Sequence, residues 1–294
     1  MLEYAQFVLA PQIVTGLALG VAVILVALGL TIIFGLLDVI NMSHGEFYAL
    51  GAFIALALGQ VGLPFWLLLV AVPVLILPIG YAVERGLIQR VFHSEDRHVT
   101  TLLLTFGFGL VLEDALRLTF GPNPFKPETP IRGTIEILGT YLPLYRLFMI
   151  VVGGLIIAGT ALVVYRTRLG AMVRAAAFDR NMAASLGVPV ERVYAGAFAF
   201  GVALAGLAGV LLAPIYSVFP TMGRDFILMA FTVIIVGGMG SIGGAVIAGL
   251  FLTQVQAIAS LYISPVWTDP IVFAIMVLML MVRPQGLRGR LGHA

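Results

Sequence analysis

The sequence predicts an all-α polytopic membrane protein with about eight to nine transmembrane helices, two of them broken or short. Three observations carry that prediction. Apolar residues make up 61% of the 294 while charged residues make up 10%, against roughly a quarter in an ordinary soluble domain. So few charges could not cover a soluble protein of this length. Apolar runs approaching the ~20 residues of a bilayer crossing recur along the chain, divided by polar breaks. The basic residues are concentrated in three of those breaks. This pattern argues against a water-soluble enzyme or DNA-binding domain, and against disorder, which needs low hydrophobicity and high charge. No nucleic-acid partner is expected from a net charge of +2. With no cysteine in the chain, disulfides, thiolate metal sites and cysteine nucleophiles are excluded.

The predicted spans follow in order. The first, near 13–37, is preceded by a stretch with Glu3 and no basic residue. It lacks the basic n-region of a cleaved signal, so the first span is expected to be retained. The second, 47–61, is short for a crossing and follows a polar break. Spans 65–83, 99–118 and 147–165 come next. The sixth, 193–213, is rich in Ala and Gly between Ala195 and Gly209, which lets membrane helices approach closely. Pro214 marks its end. The seventh, 227–239, is short and adjoins a glycine-rich break; 241–260 and 270–282 complete the set. The segment 119–146 is the longest loop on one side. Pro122, Pro124, Pro127 and Pro130 preclude a helix at its start. The alternation Ile131, Gly133, Ile135, Ile137 allows a short strand. A loop of this length is functional or flexible, and both a docking surface for an external partner and an inert connector fit.

Orientation follows from arginine placement. Segment 84–98 holds Arg85, Arg90 and Arg97. Segment 166–192 holds Arg166, Arg168, Arg174, Arg180 and Arg192. The tail holds Arg283, Arg288 and Arg290. Together these are eleven of the sixteen basic residues. The other five, Arg117, Lys126, Arg132, Arg146 and Arg224, are expected on the opposite side. The three basic segments and the C-terminus are therefore predicted to be cytoplasmic, and nine spans then put the N-terminus outside.

The most informative break is Asp38-Val-Ile-Asn41-Met-Ser43-His44-Gly45-Glu46. An ionisable group at the bilayer centre costs ~2.5–3.5 kcal/mol on insertion scales, so these side chains cannot all face lipid. They form either a polar turn between two spans or the lining of a pathway. Gly35 and Gly45 bracket the break and the following span is short, as in a discontinuous helix beside a substrate route. Asp38, Asn41, Ser43, His44 and Glu46 are the candidate gate or pathway residues. An enzyme reading of the same residues is weak. A zinc site needs at least three suitably spaced ligands, and the other histidines, His93, His98 and His293, fall in predicted cytoplasmic segments. Ser43 and His44 are adjacent, and neighbours on a helix point apart. No metal is expected.

Gly238-Met-Gly240-Ser-Ile-Gly243 satisfies G-x-G-x-x-G, but a dinucleotide site needs a preceding strand and an acid about 20 residues later. The next acid is Asp269, beyond an apolar run. A tight turn or unwound helix with close backbone packing fits better. Gly237, Gly238, Gly240, Gly243 and Gly244 are thus candidates for a second break. Both breaks adjoin a short span, which suggests an internal repeat in parallel orientation. A P-loop cannot be formed, because the sole lysine, Lys126, has no neighbouring glycine; any ATP would bind another subunit.

The segment 166–192 reads as helical between Gly170 and Gly187, with Val173, Ala176, Ala177 and Ala184 available for an apolar stripe. Gly187 suits the stop and Pro189 prevents continuation. Such a helix either lies on the membrane or docks into a partner's groove.

Three stretches resemble a known family. GLTIIFGLLDVINMSHGEFYALGAF (29–53), RLGAMVRAAAFDRNMAASLGV (168–188) and TVIIVGGMGSIGGAVIAG (232–249) are similar to the permease subunits of branched-chain amino acid ABC transporters, of the LivH type, and the similarity runs nearly end to end, including LLLTFGFGLVLEDALRLTFGP (102–122). The resemblance implies one transmembrane permease domain over 1–294 in a bacterial inner membrane, with 119–146 as outer loop and 166–192 as cytoplasmic coupling loop. It implies a second permease subunit, commonly giving a heterodimer, two cytoplasmic ATP-binding subunits and an external substrate-binding protein, with no cofactor held by this chain. Leu, Ile and Val are the implied substrates; urea and short-amide permeases share the same stretches. The resemblance favours groove docking and assigns Arg174, Ala175, Asp179, Ala183 and Gly187 to the ATPase contact. The broader permease motif E-A-A-x-x-x-G would place Glu at Asn181, so that match is partial. An ion-coupled transporter, with Asp38 and Glu46 as coupling groups, is the rival outside this family.

Overall fold

The computed structural model describes residues 8–91, 94, 96–137 and 140–289. Glu3, His93, Arg290 and His293 lie outside these residues. Each of the nine predicted runs holds a helix. In chain order these are α1 (Ala10–Leu37), α2 (His44–Gln60), α3 (Phe65–Val91, with a π turn at Glu84–Ile88) and α4 (Arg97–Phe120). An antiparallel hairpin follows, β1 (Thr134–Ile137) and β2 (Thr140–Pro143), where alternation predicted a strand. Then come α5 (Leu144–Arg166), the short surface helices α6 (Arg168–Phe178) and α7 (Arg180–Ser185), α8 (Val190–Leu212), α9 (Met222–Gly237), α10 (Ile242–Ala259) and α11 (Thr268–Val282). Among the described residues, α1, α3, α4, α5, α8 and α10 are long and apolar enough to cross a bilayer, while α11 is apolar but shorter. The chain is a multi-pass helical membrane protein. The predicted short spans are α2 and α9, of 17 and 16 residues.

α1 and α8 form the centre of the bundle. Of their most apolar windows, 83% and 89% is buried, against 17–28% for α3, α4 and α5. Apolar contact gives helices in lipid no hydrophobic advantage, so close packing must hold them. Here glycine permits it. Gly29 of α1 faces Gly201 of α8, and a Cβ on Gly201 would sit 2.7 Å from the Gly29 carbonyl oxygen. Gly51 of α2 meets Gly206 of α8 in the same way, and Gly209 meets the backbone of Tyr48.

The two ends of the bundle differ in charge. At one end Arg85 pairs with Glu191 at 3.0 Å and Arg97 with Asp38 at 3.1 Å. The tail joins the same end: the Leu287 and Arg288 amides donate to the carbonyls of Val236 and Gly237, and Gly240 lies against Gly35. The three basic segments predicted to share a side therefore do so. The opposite end carries the hairpin, where the Tyr145 hydroxyl donates to the Leu211 carbonyl at 2.7 Å, and Phe125 of the long loop pairs with Val218.

The predicted continuous helix from Gly170 to Gly187 is two helices. Asp179 interrupts it with extended backbone, φ −152°, and its carboxylate accepts from the Met182 amide at 2.9 Å. A short acidic side chain at an N-cap competes with helix continuation. Gly187 sits just past α7 with φ +83°, in the left-handed region that stops helices.

Candidate functional site

α1 ends at Leu37, and Asp38 takes a left-handed conformation, φ 52°. Its exposed carboxylate faces Arg97 at 3.1 Å and His98 at 3.6 Å. The chain then turns back into the bundle. His44 begins α2, and its Nε2 lies 3.0 Å from the carbonyl oxygen of Val26. Val26 precedes Leu37 by eleven residues in α1, or about 16 Å at 1.5 Å per residue. Segment 38–43 thus re-enters from the basic end, and α2 starts near mid-depth.

Local chemistry makes this possible. The Asn41 side-chain oxygen accepts from the Ser43 amide at 3.1 Å and the Ser43 hydroxyl at 2.7 Å, which satisfies groups that a bilayer could not hydrate. Thr105 of α4 ties the loop down: its hydroxyl accepts from the Met42 amide at 3.1 Å and donates to the Ile40 carbonyl at 3.3 Å. Asn41, Ser43 and His44 are fully buried and Glu46 is 5% exposed. Yet the Asn41 Nδ2, the His44 Nδ1 and the Glu46 Oε2 have no hydrogen-bond partner. Buried polar atoms without partners cost about 1–3 kcal/mol each, so their retention calls for an explanation beyond packing.

Glu46 lies where two helix starts cross. Gly45 packs against the Gly223 carbonyl in the first turn of α9, and a Cβ on Gly223 would reach the Glu46 carboxylate at 2.7 Å. From this crossing α2 runs toward the hairpin end, where Ala55 to Leu63 meet Val210 to Pro214. α9 runs to the basic end, where Gly238 meets Gly289. The helix that pairs with α2 is therefore reached through 213–221, from the other end of the bundle. α2 and α9 therefore run in opposite senses, whereas α1 and α9, the runs that lead into the two breaks, both end at the basic end, in the parallel sense expected from the sequence.

Beside Glu46, Gly109 of α4 packs on Ser43, and one turn on stands Glu113, 2% exposed. Glu113 accepts from Arg117 at 2.7 Å and pairs with Arg224 of α9 at 2.5 Å. The sequence reading put Arg117 and Arg224 on the outer side and passed over Glu113. The available signal was an acid in the middle of an apolar run, which marks an intramembrane functional candidate.

The glycine set lies apart. Gly237 ends α9, Gly238 (φ +98°) and Gly240 (φ +79°) make a tight turn, and the Ser241 hydroxyl accepts from the Gly244 amide at 3.1 Å to start α10. Gly243 lies against Arg288. The turn sits at the basic end, where Gly240 touches Gly35 rather than the buried polar residues.

On the surface helices, Ala183 is buried, Ala175 and Gly187 are exposed, and Asp179 caps α7. The Arg174 guanidinium donates to the Val164 carbonyl. The apolar stripe predicted from Val173, Ala176, Ala177 and Ala184 is incomplete: Ala176 points inward, and the large exposed apolar groups are Leu169 (66%), Phe178 (81%), Met182 (59%) and Leu186 (78%). Among the described residues no group of three or more His, Asp or Glu is placed to hold a metal ion.

A family model described as branched-chain amino acid transport system / permease component matches residues 12–280. This chain belongs to the branched-chain amino acid transport permease family. The permease is 32% identical, over 95% of both chains, to the high-affinity branched-chain amino acid transport system permease protein LivH of Escherichia coli K12. It is 31% identical, again over 95% of both, to BraD of Pseudomonas aeruginosa, which carries the same description. LivM of E. coli K12 is 26% identical over 90% of this permease and 67% of its own length. These relatives are permease subunits of transport systems.

Proposed function

We propose that the chain is the membrane-spanning subunit of an ABC importer that carries Leu, Ile and Val across a bacterial inner membrane, powered by two separate ATP-binding subunits. The relatives' descriptions supply the substrate class. The observation that carries the transport role is the re-entrant start of α2, with Asn41, Ser43, His44 and Glu46 buried at mid-depth and incompletely paired. Discontinuous helices of this kind line substrate routes. Matches to both LivH and LivM support a second, related permease subunit. The basic end faces the cytoplasm by the positive-inside rule, which puts α6, α7 and the C-terminus there. Phe178, Met182 and Leu186 then offer an apolar ridge to the groove of an ATPase, with Asp179 and Gly187 setting the helix ends. On the other side an external binding protein delivers substrate near the hairpin.

The test is purification from membranes with whatever co-elutes, then reconstitution. Two ATPases and a second permease in the complex, with ATP-dependent uptake of labelled leucine, support the reading. Uptake of urea or a short amide in place of leucine moves the substrate within the family. Uptake that survives ATP depletion and collapses with an ion gradient contradicts the ABC assignment.

A further inference from the structure

A cavity of about 290 Å³ opens in the half of the bundle away from the basic end, between α1, the start of α9 and α11. Ligand pockets begin at about 300 Å³, so it suits a small molecule. It lies outside the polar break, and its chemistry is one-sided. Leu19, Val23 and Val272 supply apolar wall, while its charged groups are two carboxylates, Asp225 and Asp269, close enough to repel each other. Among the described residues no basic one lines it; the neighbouring Arg224 pairs with Glu113 and offsets only part of the Asp225 charge. The carboxylates are exposed, but the floor is not. Tyr48 is fully buried, stacked on Phe226 with ring centroids 4.2 Å apart, and its hydroxyl has no partner. The Gln256 side-chain nitrogen holds Asp269 at 2.7 Å, leaving its buried oxygen unpartnered. Buried polar atoms of this kind are expected to be satisfied. Here one amide oxygen and one hydroxyl without partners belong to residues that line, with two carboxylates, a space walled by aliphatic groups.

We propose that this cavity binds the ammonium end of an aliphatic amino acid, with Asp225 and Asp269 taking the positive charge and the apolar wall taking the side chain. It rests on the amino-acid importer reading, which places the cavity on the side where substrate arrives. The ammonium offers three donors, which the two carboxylates and either the Gln256 oxygen or the Tyr48 hydroxyl can accept. The substrate carboxylate is left toward the mouth, away from the acids. The site therefore recognises charge sign and side-chain shape and not the carboxylate.

The experiment uses the complex purified from membranes in nanodiscs. Binding of labelled leucine is competed by 3-methylbutylamine, which keeps the ammonium and side chain, and by 4-methylpentanoate, which keeps the carboxylate and side chain. The amine is expected to compete at least about tenfold better than the acid. Asp225→Asn and Asp269→Asn should each weaken the amine about tenfold, and Tyr48→Phe should weaken it less. Asp225→Glu, which retains the carboxylate, should recover most of the loss, which separates recognition from misfolding. Stronger competition by 4-methylpentanoate, or wild-type amine binding in both asparagine variants, overturns the site even if leucine uptake is intact. Labelled amine that binds and is lost in Asp225→Asn, in a complex that neither binds nor transports leucine, keeps the site and sinks the importer reading. Failure of both ligands to bind the wild-type complex overturns the site.

Discussion

Two of the breaks in the apolar pattern, at 38–46 and at 237–244, solve opposite problems. The glycine break is a turn at the end of the bundle. Left-handed residues reverse the chain, Ser241 caps the next helix, and the tail covers it through backbone hydrogen bonds. The polar break goes the other way. It carries Asn41, Ser43, His44 and Glu46 into the middle of the bundle and leaves three of their polar atoms unsatisfied. Glycine there serves close approach at Gly45 and Gly223. One break shapes the backbone; the other buries polar side chains at depth, at an energetic cost.

Four substitutions probe that contrast, in falling order of effect. Gly223→Val puts a side chain onto the Glu46 carboxylate at the helix crossing. Overpacking of this kind costs about 1–3 kcal/mol or more, so leucine uptake should fall to about a tenth or less in proteoliposomes. Uptake near wild type would show that the crossing is not tight. Glu113→Gln leaves Arg224 without its carboxylate and Arg117 with Asp114 alone, at 3.3 Å. Losing one partner of a buried pair costs about 3–5 kcal/mol; with both guanidiniums half exposed, about 2 kcal/mol is expected, read as a lower melting temperature. Adding Arg224→Met should recover part of it. Asn41→Ala removes the acceptor for the Ser43 amide and hydroxyl, a loss of about 2 kcal/mol seen as a melting shift no larger than that of Glu113→Gln. Gly240→Ala has room for its methyl, 3.5 Å from Gly35, and bears only left-handed strain of roughly 1–2 kcal/mol. Its uptake should stay within about twofold of wild type at matched protein. A larger loss there than at Asn41 would break the distinction.

Much of this was legible in the sequence, for physical reasons. A bilayer demands long apolar runs, so α1, α3, α5 and α8 announce themselves. It penalises charge, so the polar break stands out. Two things escaped. The Asp179 interruption depends on one side chain capping its own neighbour, a local competition that an apolar stripe cannot reveal. The depth of His44 and the Glu113–Arg224 pair join residues distant in sequence, and only folding sets which half-helix faces which. For the same reason the glycine motif looked like the partner of the polar break, whereas Gly223, unremarkable in sequence, is what meets it.

The absence of cysteine allows the central claim, that the polar break and not the glycine turn lines the route, to be tested directly. Ser43→Cys and Gly243→Cys would be made singly and the assembled transporter treated with a small thiol reagent during ATP-driven turnover. Modification of Ser43→Cys should block leucine uptake and be slowed by saturating substrate, while Gly243→Cys should show no substrate protection. A Ser43→Cys that stays unreactive throughout turnover, or whose labelling substrate does not slow, would contradict the account.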